Sequence, residues 1–130
     1  MKNIFFSISK YLFYFSFIIL IIVYLFPGSL IGYFLYGNLG NQPDLISNPI
    51  GTSINHLVFF FYLSILGFIF RNNQKKFINS FSFLFLVSII LELLHYFIPT
   101  RAFELRDLYA NSLGVLIAYF IFKFFEIIKN

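Results

Sequence analysis

Apolar residues gather into long segments of the chain, and short polar or turn-forming stretches separate them. A helix that crosses the hydrocarbon core of a bilayer needs about 20 mostly apolar residues. Four segments meet this requirement, and none of them carries a polar stripe. The pattern predicts an all-α membrane protein with four transmembrane helices, approximately at 8–26, 53–70, 77–98 and 108–128.

The first segment begins like a signal peptide, with Lys2 ahead of a long apolar run. This run is longer than the usual apolar region of a signal peptide, and no small-residue cleavage site follows it. We therefore expect a retained helix that ends at Pro27-Gly28, with cleavage as the alternative. Residues 1–130 are expected to form a single domain.

The connection after this segment, residues 27–52, is itself partly apolar. Its apolar stretch, residues 30–36, is too short to span a bilayer. We expect it to lie at the membrane interface or to re-enter the membrane. Several tyrosines near the same level would form an aromatic belt. They are Tyr24, Tyr33, Tyr36, Tyr96 and Tyr109.

The composition supports lipid as the main solvent of the chain. Hydrophobic residues make up 60% and charged residues 11%, whereas soluble domains carry roughly 25% charged residues. The absence of cysteine excludes disulfides, thiolate nucleophiles and cysteine-ligated metals. The formal charge of +4 is not concentrated in one stripe, so no nucleic-acid partner is expected.

Basic residues predict the orientation of the helices. When four helices are threaded in order, most basic residues fall on one side, and the positive-inside rule assigns that side to the cytoplasm. Both termini are then cytoplasmic, and the 27–52 and 99–107 loops face outward, in a multi-pass protein of a bacterial inner membrane. The residues on the cytoplasmic side are Lys2, Lys10, Arg71, Lys75, Lys76, Lys123 and Lys129.

The same threading brings scattered polar residues to the outer ends of the helices. Two spacings support a shared site: Glu92 and His95 are three residues apart, and Asp107, Asn111 and Gly114 follow at helical intervals of four and three. Gly114 would allow a neighbouring helix to approach closely. The full set is His56, Glu92, His95, Arg101, Arg106, Asp107 and Asn111.

Glu92 is expected to lie below the membrane surface, because it precedes Ile98 by six residues, or roughly 9 Å of helix. An ionised carboxylate at that depth costs several kcal/mol unless it is paired. We therefore expect Glu92 to pair with Arg101 or Arg106, or to bind a proton. Such a pair is either a structural clamp between two helices or a catalytic or ligand-binding group.

The stretch from Glu92 to Gly114 resembles the signature of the VanZ-like family. That signature has a Glu on a membrane helix, an Arg after a Pro-Gly-like turn, an Asp six residues on, and Asn-x-x-Gly. In this chain the Arg is Arg101 and the Asp is Asp107, and His56 matches a His that opens the preceding helix. The resemblance covers roughly residues 50–125 and the layout of four helices.

Two positions depart from the family pattern. The family usually has Gln in place of His95, and it often has an acidic residue four positions before the His, where this chain has Thr52. The family name derives from teicoplanin resistance, which implies a role in the cell envelope. The resemblance thus supplies an architecture and a site, and no reaction.

Each candidate residue has a structural alternative beside its functional one. His56, Glu92 and Asp107 are candidate acid/base groups, although His56 could be a satisfied helix-end histidine and Asp107 an N-cap. Candidate substrate-binding residues are Arg101, Arg106, His95 and Asn111, and Asn111 could instead bridge helices.

No metal or other cofactor is expected. Glu92-x-x-His95 has the spacing found in di-metal bundles, but those bundles use two such motifs and this chain has one. Serine nucleophiles also lack support, because Ser53 and Ser112 have no obvious base.

Two functions from different classes remain. In the first, the protein handles an anionic lipid or a lipid-linked cell-wall precursor at the outer leaflet, and thereby affects teicoplanin susceptibility. In the second, it is a non-enzymatic membrane binding or partner protein whose polar cluster is structural. A small transporter is a weaker third reading, and the sequence does not decide whether a homo-oligomer forms.

Overall fold

A computed structural model describes residues 2–43, 45 and 47–128. The described residues form helices and connecting turns with no β-strand, which confirms the predicted all-α class. Two short 3-10 turns, Phe77–Asn79 and His95–Phe97, flank the fourth helix. The helices are α1 (Lys2–Leu25), α2 (Leu30–Tyr36), α3 (Ser53–Asn73), α4 (Phe81–Leu94) and α5 (Leu105–Ile128).

Three helical segments, Ile4–Leu25, Ser53–Asn72 and Leu105–Ile128, are long and apolar enough to cross a membrane. The third predicted span, 77–98, is shorter in the structure. Its apolar helical stretch begins at Phe81, not at residue 77, and ends at Phe97. The described residues therefore contain three candidate spans and, at Phe81–Phe97, one shorter apolar helical stretch of at least ten residues.

Local hydrogen bonds explain the late start of α4. The buried Asn79 side chain donates to the carbonyl of Gln74 and accepts from the backbone amide of Lys76. These bonds hold the chain in a turn, because the amide competes with helical backbone bonding. Ser80 then caps α4, with its hydroxyl accepting from the amide of Phe83.

The most extensive packing in the bundle is between α3 and α5. Gly114 makes this contact close: a Cβ at that position would lie 2.4 Å from the carbonyl oxygen of Leu57. This confirms the close helix approach predicted at Gly114. Near the other end of the bundle, α1 meets α3 where Phe13 packs on Gly67.

The order of the helices brings four helix ends together. The last turns of α1 and α4 and the first turns of α3 and α5 lie at one end of the bundle, hereafter the site end. α2 and the loop after it cover this end. Gly32 of α2 packs directly on the backbone of Asn41, and Phe34 is 80% exposed. That this segment lies at the membrane interface or re-enters the membrane stays a prediction.

Candidate functional site

A buried chain of hydrogen bonds joins four helices, α1, α3, α4 and α5, at the site end. The Asn111 amide nitrogen donates to the carbonyl of Ser88 and to Oε2 of Glu92, both at 3.3 Å. Its Oδ1 atom therefore faces Tyr24, whose hydroxyl donates to it at 2.6 Å. The same hydroxyl lies 2.5 Å from Nδ1 of His56.

This chain places a hydrogen on Nδ1 of His56. A tyrosine hydroxyl has one hydrogen, and Tyr24 uses it on Asn111. The hydroxyl must therefore accept from His56, so Nδ1 of His56 carries a hydrogen. Nε2 lies 3.4 Å from the Gln42 amide nitrogen and 3.4 Å from Oδ2 of Asp107, so it accepts from Gln42 when it carries no hydrogen and donates to Asp107 when it carries one.

Glu92 is fully buried and pairs with partners other than the expected arginines. Its Oε1 atom lies 3.2 Å from Nδ1 of His95 and accepts from the backbone amide of Glu104 at 3.2 Å. Its Oε2 atom accepts from Asn111 and lies 3.9 Å from Nδ1 of His56. The expected pairing of Glu92 with Arg101 or Arg106 was wrong, because polar groups of α4, α5 and their connection already surround the carboxylate. The alternative, that Glu92 binds a proton, stays a prediction.

His95 lies between two acceptors. Its Nδ1 atom faces Glu92, and its Nε2 atom lies 3.1 Å from the backbone carbonyl of Tyr24. The ring also stacks on that of Tyr24, with centroids 5.4 Å apart. His95 thus ties the end of α4 to the end of α1.

Asp107 connects α5 to α3. Its Oδ1 atom accepts from the hydroxyl of Ser53 at 2.5 Å, and its Oδ2 atom lies 3.4 Å from Nε2 of His56. The N-cap interpretation of Asp107 was wrong, because α5 already begins two residues earlier and the carbonyl of Glu104 accepts from Leu108. Asp107 therefore occupies the first turn, where a negative charge also complements the helix dipole.

Arg101 holds the end of α1. Its Nε and Nη2 atoms donate to the carbonyls of Phe26 and Val23 at 3.3 and 2.9 Å. Burial lowers the pKa of the Arg101 guanidinium from its ordinary value, and the neighbouring Tyr24 and Glu92 oppose the shift. The group remains a cation. Its Nη1 atom has no hydrogen-bond partner within the part of the chain that the structure describes.

Two cavities meet at the site end. The first, the apolar groove, has a volume of about 260 Å³ and lies between α1 and α3, lined mainly by Ile19, Leu20, Val23, Phe59 and Leu63. The second, the polar cavity, has a volume of about 350 Å³ and is lined by loop residues together with Glu104 and Asp107. The residues common to both linings are Ser29, Gln42, His56, His95 and Arg101.

The cavities divide the predicted site residues into three groups. His56, His95, Arg101 and Asp107 line at least one cavity. Glu92 and Asn111 lie behind them, fully buried in the hydrogen-bond chain. Arg106 is exposed and lines neither cavity.

The site contains three side chains that could together ligate a metal ion. One atom from each of His56, Glu92 and Asp107 lies within 4.8 Å of the others, and histidine with carboxylates is a common donor set. His95, which the Glu-x-x-His spacing suggested, is not in this group. The prediction that no metal binds stays a prediction.

Sequence reasoning missed several members of the site. Tyr24 was assigned to an aromatic belt, yet it is 5% exposed and central to the hydrogen-bond chain, whereas Tyr96 and Tyr109 are exposed. Ser53 was left without a partner, and the structure gives it Asp107. Position along the helices could have identified both residues, because Tyr24 and Ser53 lie at the same level as His56 when the four helices are threaded in order.

The fold and the site together define an all-helical membrane protein with a buried histidine–carboxylate cluster at one end of its bundle. The family model described as VanZ/LLP1 matches residues 3–126, almost the whole chain. The chain therefore belongs to the VanZ/LLP1 family, which confirms the resemblance found in its sequence. Comparisons with curated proteins and with solved structures gave no match.

Proposed function

We propose that this protein is a multi-pass protein of the bacterial inner membrane, with four spans and both termini in the cytoplasm. Phe81–Phe97 is apolar, and its α-helical and 3-10 parts together would extend about 27 Å, close to the thickness of the hydrocarbon core. Arg71, in the last turn of α3, donates to the carbonyl of Lys76 in the following turn, at the end of the bundle away from the site. The positive-inside rule then orients the site end outward.

In this orientation the protein handles an anionic lipid or a lipid-linked cell-wall precursor at the outer leaflet. The observation that carries this proposal is the junction of an apolar groove with a polar cavity at Arg101 and His56. An amphiphile needs both surroundings in one continuous space. The polar cavity would hold the headgroup, and the groove would hold hydrocarbon.

Arg101 is the group best suited to the headgroup. Its bonds to the carbonyls of Val23 and Phe26 fix the guanidinium, and Nη1 is left free for a phosphate or carboxylate oxygen. The nearby carboxylates of Glu92 and Asp107 already accept hydrogen bonds from protein donors. Their charges are therefore partly compensated, which lowers their repulsion of an anion.

His56 would supply acid/base chemistry if the bound lipid is a substrate. Its Nε2 atom can accept a proton, and the adjacent Oδ2 of Asp107 would stabilise the resulting cation. Tyr24 holds the opposite nitrogen. In this division of roles Glu92 and Asn111 are positioning residues, not catalytic ones.

The second candidate, a non-enzymatic membrane partner with a structural polar cluster, is favoured by the buried half of the site. Glu92 and Asn111 have partners on all their polar atoms inside the protein. On this view Glu92→Gln lowers folded yield and changes nothing else.

Teicoplanin susceptibility of a sensitive bacterium tests the proposal. We would express wild type, Arg101→Gln and His56→Gln, with Arg106→Gln as the matched control that removes a nearby cation, in the first turn of α5, outside both cavities. Membrane abundance is measured with a tag in each strain. Protection by wild type and Arg106→Gln, lost in equally abundant Arg101→Gln and His56→Gln, would support a working envelope site. Equal susceptibility of all strains would count against it.

A further inference from the structure

The apolar groove has an open side. Three of its lining residues are partly exposed on the outer surface of the bundle: Ile19 at 42%, Phe59 at 36% and Tyr62 at 43%. Above them, Ile31 and Pro43 belong to the covering segment of α2 and its following loop. A ligand would therefore enter sideways from the lipid phase, between α1 and α3.

The groove also has a closed floor. The hydroxyl of Ser16 donates to the hydroxyl of Tyr62 at 3.3 Å, which joins α1 and α3 across its lower end. Deeper in the bundle, Phe13 and Gly67 bring the same two helices into direct contact. The groove runs from Tyr24 down to Ser16, or about 12 Å of helix. This is most of the roughly 15 Å depth of one leaflet.

The size of the groove limits what it holds. Its volume of about 260 Å³ is below the range of about 300–1,000 Å³ typical of pockets for whole drug-sized ligands. The space is confined between two helices, and its walls above the floor are mainly Leu20, Val23 and Leu63. These dimensions fit the first part of one hydrocarbon chain and leave no room for a second beside it.

Charge at the mouth of the groove selects the headgroup. Arg101 lines both cavities and keeps Nη1 free, and the amide of Gln42 and the ring of His56 line them as well. A tetrahedral phosphate can accept from several such donors at once. A neutral headgroup would leave the half-buried guanidinium, which binds only uncharged carbonyls, without a counter-charge.

We infer that the groove holds one hydrocarbon chain of a lipid phosphate and favours single-chain lipids, such as a long-chain alkyl or isoprenoid phosphate, over two-chain phospholipids, whose second chain would have to stay outside the groove. This inference rests on the proposed function and names its substrate class. The chain enters between α1 and α3 with the phosphate at Arg101. The apolar groove then holds the hydrocarbon chain and the polar cavity holds the phosphate, as two parts of one binding site.

A tryptophan placed in the groove tests this inference directly, because the chain has no native tryptophan. Phe59→Trp puts the reporter in the groove wall. Ile18→Trp is the matched control, since Ile18 is 58% exposed on α1 and does not line the groove. The full chain, in nanodiscs of a zwitterionic phospholipid, is titrated with dodecyl phosphate brominated on its chain.

We expect saturable quenching of the Phe59→Trp protein at low mole fraction of the probe, and only gradual, non-saturating quenching of Ile18→Trp. Unlabelled dodecyl phosphate should compete strongly, whereas phosphatidic acid, with the same headgroup and two chains, should compete more weakly. Adding Arg101→Gln should weaken binding roughly 10- to 100-fold, as expected for a lost hydrogen bond to a charged group.

The possible failures are distinguishable. If phosphatidic acid binds saturably and competes as well as dodecyl phosphate, the single-chain inference is wrong while lipid binding stands. If neither lipid gives saturable quenching at Phe59→Trp, both the inference and the proposed anionic-lipid function are contradicted. Inorganic phosphate serves as the headgroup-only competitor, and complete competition by it would also contradict a role for the groove.

Discussion

The hydroxyl of Tyr24 lies 2.5 Å from Nδ1 of His56, although the two residues are 32 positions apart and belong to different helices. The same hydroxyl donates to Asn111, so it fixes both the orientation of the amide and the hydrogen on the imidazole. One side chain of α1 thereby determines which nitrogen of His56 faces the polar cavity.

Tyr24→Phe tests this relationship. The substitution keeps the ring and leaves Nδ1 of His56 and Oδ1 of Asn111 without their buried partner, which costs about 1–3 kcal/mol of folding free energy. The nitrogen chemical shifts of His56 should also change, because its Nδ1 hydrogen no longer has a fixed acceptor. Tyr109→Phe is the control, since Tyr109 is 66% exposed. Unchanged stability and unchanged imidazole shifts in Tyr24→Phe would contradict the assignment.

The close contact at Gly114 predicts that a larger side chain there pushes α3 and α5 apart and lowers the free energy of unfolding. In Gly114→Ala the new methyl group would lie 2.4 Å from the carbonyl oxygen of Leu57 and 2.9 Å from the amide nitrogen of Phe61. Backbone atoms cannot yield without moving a helix, so we expect a loss of about 1–3 kcal/mol. Leu113→Ala, at a 47% exposed neighbouring position, should cost much less. Thermal unfolding in detergent measures both, and equal losses would be inconsistent with this close contact.

Thr100 is the one non-glycine residue with positive φ, at 65°, in the described part of the chain. A β-branched residue in this left-handed region is strained by roughly 1–2 kcal/mol. Thr100→Gly should remove the strain, and after the extra entropy of glycine in the unfolded chain it should stabilise the fold by about 0.5–1 kcal/mol.

Thr100→Ala is the control for this effect, because alanine keeps the Cβ and most of the strain. We expect little or no gain from it in the same unfolding measurement. If alanine stabilises the protein as much as glycine does, backbone strain is not the cause.

The sequence predicted the helical class and the convergence of the polar residues, because both depend on hydrophobicity and threading. It placed the start of the third predicted span, which is α4 in the structure, too early, at residue 77. Hydropathy contains no information about the side-chain hydrogen bonds of Asn79. Fine boundaries depend on such local bonds, which a window of apolar residues does not contain.

Partner choice within the site could not be derived in the same way. Opposite charge favoured Arg101 for Glu92, but the carboxylate is bound by His95, Asn111 and the amide of Glu104. Arg101 instead binds the carbonyls at the end of α1. Both outcomes depend on how far each helix extends past its neighbour, and sequence spacing within one helix carries no such information.

The central claim is that the junction of the two cavities binds an anionic lipid, and mass spectrometry of the purified protein tests it most directly. Wild type, Arg101→Gln and the control Arg106→Gln would be released intact from the same mild detergent, and bound lipids would be identified by mass and phosphate content. We expect a retained lipid phosphate on wild type and Arg106→Gln, and its loss from folded Arg101→Gln. Absence of lipid phosphate from wild type, or equal amounts on all the proteins, would contradict the account.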